Sequence, residues 1–189
     1  MQQRLILASG SPRRKELLSN LQLEFDVIVS EIEEIVDNTM TPEKIVMSLA
    51  LQKAEDVARH HRDAFVIGSD TVVVFQNEVL GKPKNEEDSF RMLRMLSNQT
   101  HQVYTGVAIL TGTSRVTFFE RTDVTFWELS ESEIAAYISS GEPKDKAGSY
   151  GIQELGSVLV KGINGDYFSV VGLPISRTIR ELKKAGYII

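Results

Sequence analysis

The chain has 189 residues, 42% hydrophobic and 25% charged, the make-up of a globular protein able to bury its own core. It contains no cysteine, which excludes disulfides, thiolate metal sites and thiol catalysis. A net charge of −5 argues against a general duplex-binding surface, so a nucleic-acid polymer is not expected as partner, and it leaves room for a local basic pocket that takes a small anion.

Leu5-Ile6-Leu7-Ala8 predicts a first strand, and Ser9-Gly10-Ser11-Pro12-Arg13-Arg14 a small-residue turn into a helix. Ser11 is the expected N-cap and Pro12 the first helical residue, with Leu17, Leu18 and Leu21 on the buried face to about Asn20. Phe25 to Val29 reads as a second strand, followed by the acidic residues Glu31, Glu33 and Glu34. Thr41-Pro42-Glu43 opens a helix whose buried stripe is Val46, Leu49, Ala50, Ala54 and Val57, reaching about His60. Val66 to Phe75 is β-branched enough to be a central strand, and Asp70 interrupts it. Val79-Leu80 follows a turn at Asn77-Glu78 and ends at Gly81-Lys82-Pro83; Asn85 then caps a helix with Glu86, Glu87 and Asp88 in its first turn. Gln102 to Thr111 and Val116 to Glu128 are expected to pair as a hairpin around Gly112-Thr113-Ser114. Ser130 and Glu133 form a capping box for a helix to about Ser139, closed by Gly141-Glu142-Pro143. Val158 to Val160 and Tyr167 to Val171 read as short strands on either side of Asn164-Gly165, and Leu173-Pro174 starts a last helix toward Ala185. The expected class is α/β: a mixed twisted sheet flanked by helices, one domain over 1–189, with a central cleft as its only division. No apolar run approaches about eighteen residues and the start lacks a signal-peptide core, so a cytoplasmic location is expected.

Several features carry chemistry. At the first helix, free N–H groups and the positive dipole end meet the hydroxyls of Ser9 and Ser11 and the guanidinium groups of Arg13 and Arg14. Cations are disfavoured at that end of a helix, and two of them there predict a strongly negative ligand such as a polyphosphate. Asp70 is a carboxylate inside an apolar strand, where it needs a cation, a metal or strong donors; Lys53 is the one charge on the buried stripe of its helix and either reaches a cleft or snorkels. Glu31, Glu33 and Glu34 form either a solvated rim or, beside a phosphate pocket, part of a Mg²⁺ ligand set. Lys82 sits on a stiff turn, and Asp145-Lys146 precedes Ala147-Gly148-Ser149-Tyr150-Gly151, where small residues permit close approach of a ligand. No P-loop and no G-x-G-x-x-G is present, and His60, His61 and His101 have no metal or triad spacing.

Ala8-Ser9-Gly10-Ser11-Pro12-Arg13-Arg14, Glu31-Ile32-Glu33-Glu34, Gly68-Ser69-Asp70-Thr71, Gly81-Lys82-Pro83, Asp145-Lys146-Ala147-Gly148 and Gly172-Leu173-Pro174 stand in the order found in the Maf family, and the chain resembles that family over nearly its whole length. Its members are nucleoside triphosphate pyrophosphatases related in fold to the inosine triphosphate pyrophosphatases. The resemblance implies cleavage between the α and β phosphorus atoms, giving a monophosphate and pyrophosphate, with a divalent metal cation, Mg²⁺ or Mn²⁺. It makes Asp70 the general base and Arg13, Thr71 and Gln153 the specificity positions. Tyr150-Gly151-Ile152-Gln153 looks like the subgroup acting on dTTP and UTP, and the subgroup associated with 7-methyl-GTP differs at this block. Ser69 stands where many members have alanine and is expected to matter little.

The resulting assignment makes Asp70, Lys53 and Lys82 catalytic, with Glu33, Glu34 and Asp70 as metal ligands. Ser9, Ser11, Arg13, Arg14, Thr71, Asp145, Lys146 and Gln153 are expected to bind substrate. The Gln153 amide, both donor and acceptor, suits the imide edge of uracil or thymine. The family also implies a homodimer. The alternatives are a nucleotide-binding regulator of septum formation without essential catalysis, and a sugar-nucleotide transferase.

Overall fold

The computed structural model describes residues 3–37 and 39–188. In chain order its elements are β1 (Leu5–Leu7), α1 (Pro12–Ser19), β2 (Asp26–Val27), α2 (Pro42–Ala58), β3 (Phe65–Phe75), β4 (Glu78–Leu80), α3 (Glu86–Leu96), β5 (Thr100–Leu110), β6 (Arg115–Phe126) and α4 (Glu131–Ser139). Three 3₁₀ turns follow, Glu142–Asp145, Ala147–Ser149 and Glu154–Leu159, and then β7 (Val160–Asn164), α5 (Tyr167–Val171) and α6 (Ile175–Lys184). The sheet has seven strands in the order β2-β1-β3-β5-β6-β7, with β4 paired to β3. β1 runs parallel to β2 and β3, whereas β3–β4 and β6–β7 are antiparallel. The class is the mixed α/β sheet with flanking helices that the alternation of periodicities implies.

The chain forms two compact units. Met1–Asp70, Thr105–Glu120 and Gly172–Ile189 make the first; Thr71–Tyr104 and Arg121–Val171 make the second. Ile6, Ala8, Ala50, Ala54, Val66 and Ala108 lie in the core of the first unit. Its small residues let α2 lie almost on the strands. A Cβ at Gly68 of β3 would sit 2.1 Å from the Ala50 carbonyl oxygen, and one at Gly106 of β5 would sit 2.3 Å from the carbonyl of Val46. The second unit packs larger side chains, among them Phe75, Leu93, Leu96, Val124, Phe126 and Ile134.

Local rules place most helix starts. Pro12 and Pro42 open α1 and α2, Asn85 accepts the Asp88 N–H at 2.8 Å, and Ser130 with Glu133 makes both bonds of a capping box. Ser11 and Thr41 occupy the N-cap positions without a side-chain capping bond. The Ser11 N–H instead donates to Ser9 Oγ at 3.3 Å. The expected strand at Tyr167 to Val171 is the helix α5. There the Asp166 carboxylate accepts the Ser169 N–H at 2.8 Å and Thr122 Oγ1 accepts the Asp166 N–H at 2.9 Å, so capping and a tertiary bond override a β-branched, aromatic run. Val158 and Leu159 likewise end a 3₁₀ turn, and the strand starts only at Val160.

Candidate active site

In the first unit, the turn from β1 into α1 is organised by Ser9 and Arg14. Ser9 is buried, and its hydroxyl accepts from both the Ser11 N–H and Arg14 Nη1 at 3.3 Å. Arg14 Nε donates to the Gly172 carbonyl at 2.7 Å. Gly172 has φ +132°, a backbone that favours glycine, and a Cβ there would meet Arg14 Nε at 3.2 Å, a tight contact for the arginine to accommodate. Burial pushes the Arg14 guanidinium below its ordinary pKa; the nearby Asp70 opposes this, Arg13 adds to it and Glu34 again opposes it. The fields of Asp70 and Glu34 thus reach α1. Arg14 works partly as a fastener between α1 and the segment before α6, a role that its position beside Arg13 does not disclose.

Gly68 and Asp70 are two residues apart on β3 and share a face, which is the face α2 covers. Lys53 lies one turn beyond Ala50 on α2 and reaches that carboxylate: Nζ is 2.6 Å from Asp70 Oδ1 and 3.1 Å from Glu34 Oε1. The Lys53 and Asp70 side chains are 16% and 14% exposed and Glu34 is 43% exposed, so the cluster opens to solvent on the Glu34 side. Lys53 is therefore not a snorkelling side chain. Glu34 is carried there by a segment laced along α2. Gln52 accepts the Ile35 N–H and donates to the Ile35 carbonyl, both at 3.0 Å. Asp56 accepts from Ser30 Oγ at 2.9 Å and from the Glu31 N–H at 3.2 Å. Gln52 and Asp56 flank Lys53 on the helix, and their only signal in the sequence is that polarity.

Glu33 is exposed, the ion pairs of Lys53 are with Glu34 and Asp70, and no group of three or more His, Cys, Asp or Glu side chains poised for a metal occurs among the described residues. Asp70 and Glu34 nevertheless converge on one cation. Two carboxylates completed by phosphate oxygens and water are a sufficient donor set for Mg²⁺, so the residues present fit a divalent cation shared with substrate better than a cage made of protein alone.

Ser69 is fully buried, and its hydroxyl lies 3.0 Å from the carbonyl oxygens of both Gly106 and Gly172. It joins β3 to the carbonyl that also receives Arg14, so its hydroxyl has a structural use where the family resemblance implies little.

In the second unit, Thr71 is part-buried on β3 and Lys82 is exposed on the turn after β4. The Gly81 carbonyl accepts the Gly148 N–H at 3.0 Å, which brings together the Gly81-Lys82-Pro83 and Asp145-Lys146-Ala147-Gly148 segments. Lys146 Nζ donates to the Glu142 carbonyl at 2.6 Å and lies 3.3 Å from Asp145 Oδ1, while Asp145 is exposed. Gln153 is part-buried and immediately precedes the last 3₁₀ turn. His101 is fully buried, with Nε2 2.7 Å from the Tyr150 hydroxyl and its ring edge-on to Phe126 and Tyr150. Burial pushes its pKa down to about 4 and pushes that of Tyr150 up, so both are neutral over the physiological range.

The family model for Maf-like proteins matches residues 4–185. A dTTP/UTP pyrophosphatase of Bacillus cereus (strain AH187) is 60% identical over 181 residues, covering 96% of this chain and 95% of that protein. A dTTP/UTP pyrophosphatase of Bacillus thuringiensis subsp. konkukian is 59% identical over the same length. Among solved structures, a nucleoside-triphosphatase, described as a dITP/XTP pyrophosphatase, from Mycobacterium abscessus aligns with a TM-score of 0.47 and 17% identity over 67% of this chain and 75% of that one.

Proposed function

Because the chain belongs to the Maf family, we propose that it hydrolyses nucleoside triphosphates, dTTP and UTP or modified pyrimidine counterparts in preference to others, releasing a nucleoside monophosphate and pyrophosphate. The observation that carries this reading is the Asp70 carboxylate, 2.6 Å from the Lys53 ammonium and the one charged side chain of its strand. Asp70 takes a proton from water as the water oxygen bonds to phosphorus and the α–β bridging P–O bond breaks, the electron pair leaving with pyrophosphate. Lys53 orients that carboxylate and, with Arg13, Arg14 and Lys82, opposes the charge of the triphosphate. Ser9 and Ser11 supply hydroxyls to it, and Thr71, Asp145 and Lys146 complete the substrate contacts. Gln153 pairs with the O4/N3–H edge shared by uracil and thymine.

Asp70 and Glu34, with Glu33 as a further ligand, would hold a divalent cation, Mg²⁺ or Mn²⁺, whose chemistry when bound is to lower the pKa of water and offset phosphate charge. A regulator of septum formation would need a phosphate pocket but no base, and the Glu34–Lys53–Asp70 cluster is more than a binding pocket requires. The partner expected of this enzyme, besides its nucleotide, is a second copy of the chain, and its expected location is the cytoplasm. No helix among the described residues is long and apolar enough to cross a membrane.

The test is a purified sample incubated with UTP, dTTP, CTP and GTP in Mg²⁺ and in Mn²⁺. Monophosphate and pyrophosphate formed in equal amounts, without any sugar acceptor, and fastest from UTP and dTTP, is the expected result. Binding without product overturns the enzyme reading, and a requirement for a phosphosugar points to the transferase.

A further inference from the structure

Gln153 stands on a short loop whose two ends are pinned together. A Cβ at Gly156 would sit 1.9 Å from the Gly151 carbonyl oxygen and 2.8 Å from the Tyr137 hydroxyl. Between these glycines the chain turns back through Glu154 at φ +51°, a left-handed backbone that a non-glycine residue keeps only where its surroundings hold it. One carboxylate does much of the holding. Glu142 accepts the Leu155 N–H on Oε2 and the Gly156 N–H on Oε1, each at 3.1 Å. These amides lie in the first turn of the 3₁₀ segment Glu154–Leu159, where N–H groups have no partner within their own turn. Tyr137 of α4 extends the clamp to the other end: its hydroxyl donates to Glu142 Oε1 at 3.0 Å and accepts the Gly151 N–H at 3.1 Å. Lys146 is drawn in as well, through Nζ on the Glu142 carbonyl at 2.6 Å and a Cε that would lie 2.8 Å from a Cβ at Gly151.

We propose that Glu142 is a positioning residue for base selectivity: with Tyr137 it fixes the backbone on both sides of Gln153, so that the amide meets a nucleobase edge in one orientation. The inference rests on the reading of Gln153 as the residue that recognises the base. A hydrogen-bonding site discriminates only if its donor and acceptor cannot follow the wrong ligand, and a loop held at both ends cannot. Both oxygens of the carboxylate are needed. An amide at position 142 accepts on one atom and sets its NH₂ against the other backbone N–H.

The experiment compares kcat and KM for UTP and CTP in wild type, Glu142→Gln, Tyr137→Phe, Gln153→Ala and the Glu142→Gln/Gln153→Ala double variant, with Tm measured for each. Glu142→Gln is expected to lower the UTP-to-CTP ratio of kcat/KM by about tenfold, the worth of one lost hydrogen bond, through a higher KM for UTP and a kcat within about twofold of wild type. Tyr137→Phe keeps both amide bonds to Glu142 and shifts the ratio the same way by less. In the Gln153→Ala background, Glu142→Gln should change the ratio no further, because its effect runs through Gln153. If Glu142→Gln does not fold, Tyr137→Phe with and without Gln153→Ala makes the same comparison. A fall in Tm and in kcat on both nucleotides at an unaltered ratio overturns the proposal, as does a full effect of Glu142→Gln in the absence of Gln153. A wild type equally active on UTP, dTTP, CTP and GTP, or a Gln153→Ala variant with unaltered preference, overturns the reading of Gln153 beneath it, whereas a preference lost in Gln153→Ala and kept in Glu142→Gln and Tyr137→Phe overturns the positioning role alone.

Discussion

Lys53 and Asp70 form an ion pair in which each is the other's closest charged neighbour, Nζ to Oδ1 2.6 Å, and the same ammonium holds Glu34 at 3.1 Å. Removing it leaves two carboxylates facing each other, a repulsion that a divalent cation would relieve. Lys53→Met keeps the apolar stem on α2 and removes only the charge. Its kcat/KM for UTP should fall by about a hundredfold, and Mg²⁺ should raise its Tm by more than it raises that of the wild type. Melting curves with and without Mg²⁺ check this, and an equal shift in both proteins contradicts it.

Asp70→Asn should fold, since Lys53 retains Glu34 as partner, and should lose about 10²–10⁴ in kcat, the usual worth of a general base. A variant with about a tenth or more of wild-type kcat would remove Asp70 from that role. Chelation of the wild type with EDTA should abolish turnover while leaving the far-UV circular dichroism and Tm near their starting values, because Lys53 pairs with both carboxylates and offsets part of their repulsion. Full turnover in excess chelator would rule out metal assistance.

His101 predicts a pH dependence of stability. Its pKa is about 4 in the folded protein against an ordinary 6.5, so on acidification the unfolded chain takes up a proton before the folded one does. The stability due to its neutral form is complete above the ordinary value and is lost as pH falls toward about 4, by roughly 3 kcal/mol in all. Urea unfolding across that range should give a steeper decline for the wild type than for His101→Gln. Parallel curves would show that burial does not suppress protonation of His101.

Gly68→Ala tests the packing beneath the site. With the Ala50 carbonyl 2.1 Å from the new methyl group, α2 must lift away, at a cost of about 2–4 kcal/mol in stability. The ammonium of Lys53 should move with it, so the fraction that remains folded should also have a lower kcat. Unfolding and active-site-normalised turnover measure the two effects separately, and a variant that is destabilised yet fully active would uncouple them.

The first unit was readable because its anomalies are local. A charge on an apolar stripe at Lys53 and a charge in an apolar strand at Asp70 are each visible alone, and the fold satisfies one with the other. Proline at a first helical position, an asparagine cap and a capping box act within four residues, which is why the starts of α1, α2, α3 and α4 match the expectation. The helix at Tyr167 to Val171, where the residues imply a strand, depends on Thr122, a residue remote in sequence, binding Asp166. Gln52 and Asp56 beside Lys53, the two carbonyl partners of Ser69 and the Glu142 clamp are hidden for the same reason: most of their partners are backbone groups brought near only by the fold, and a backbone partner leaves no mark in the sequence.

Gly68 and Gly106 give α2 no clearance above β3 and β5. A helix seated carbonyl-on-glycine has nowhere lower to settle and rises only by breaking contact, so the separation between its side chains and Asp70 is set by backbone atoms and is insensitive to mutation elsewhere on the helix. Diversification of such a site is confined to exchanging what spans a fixed gap. Arginine at position 53 would be too long for it, serine too short, and a lost ammonium can be replaced by a cation from solution but not by drift of the scaffold. The chemistry can be lost in a single substitution, while the distance across which it operates is held by backbone atoms that a side-chain substitution on the helix does not move.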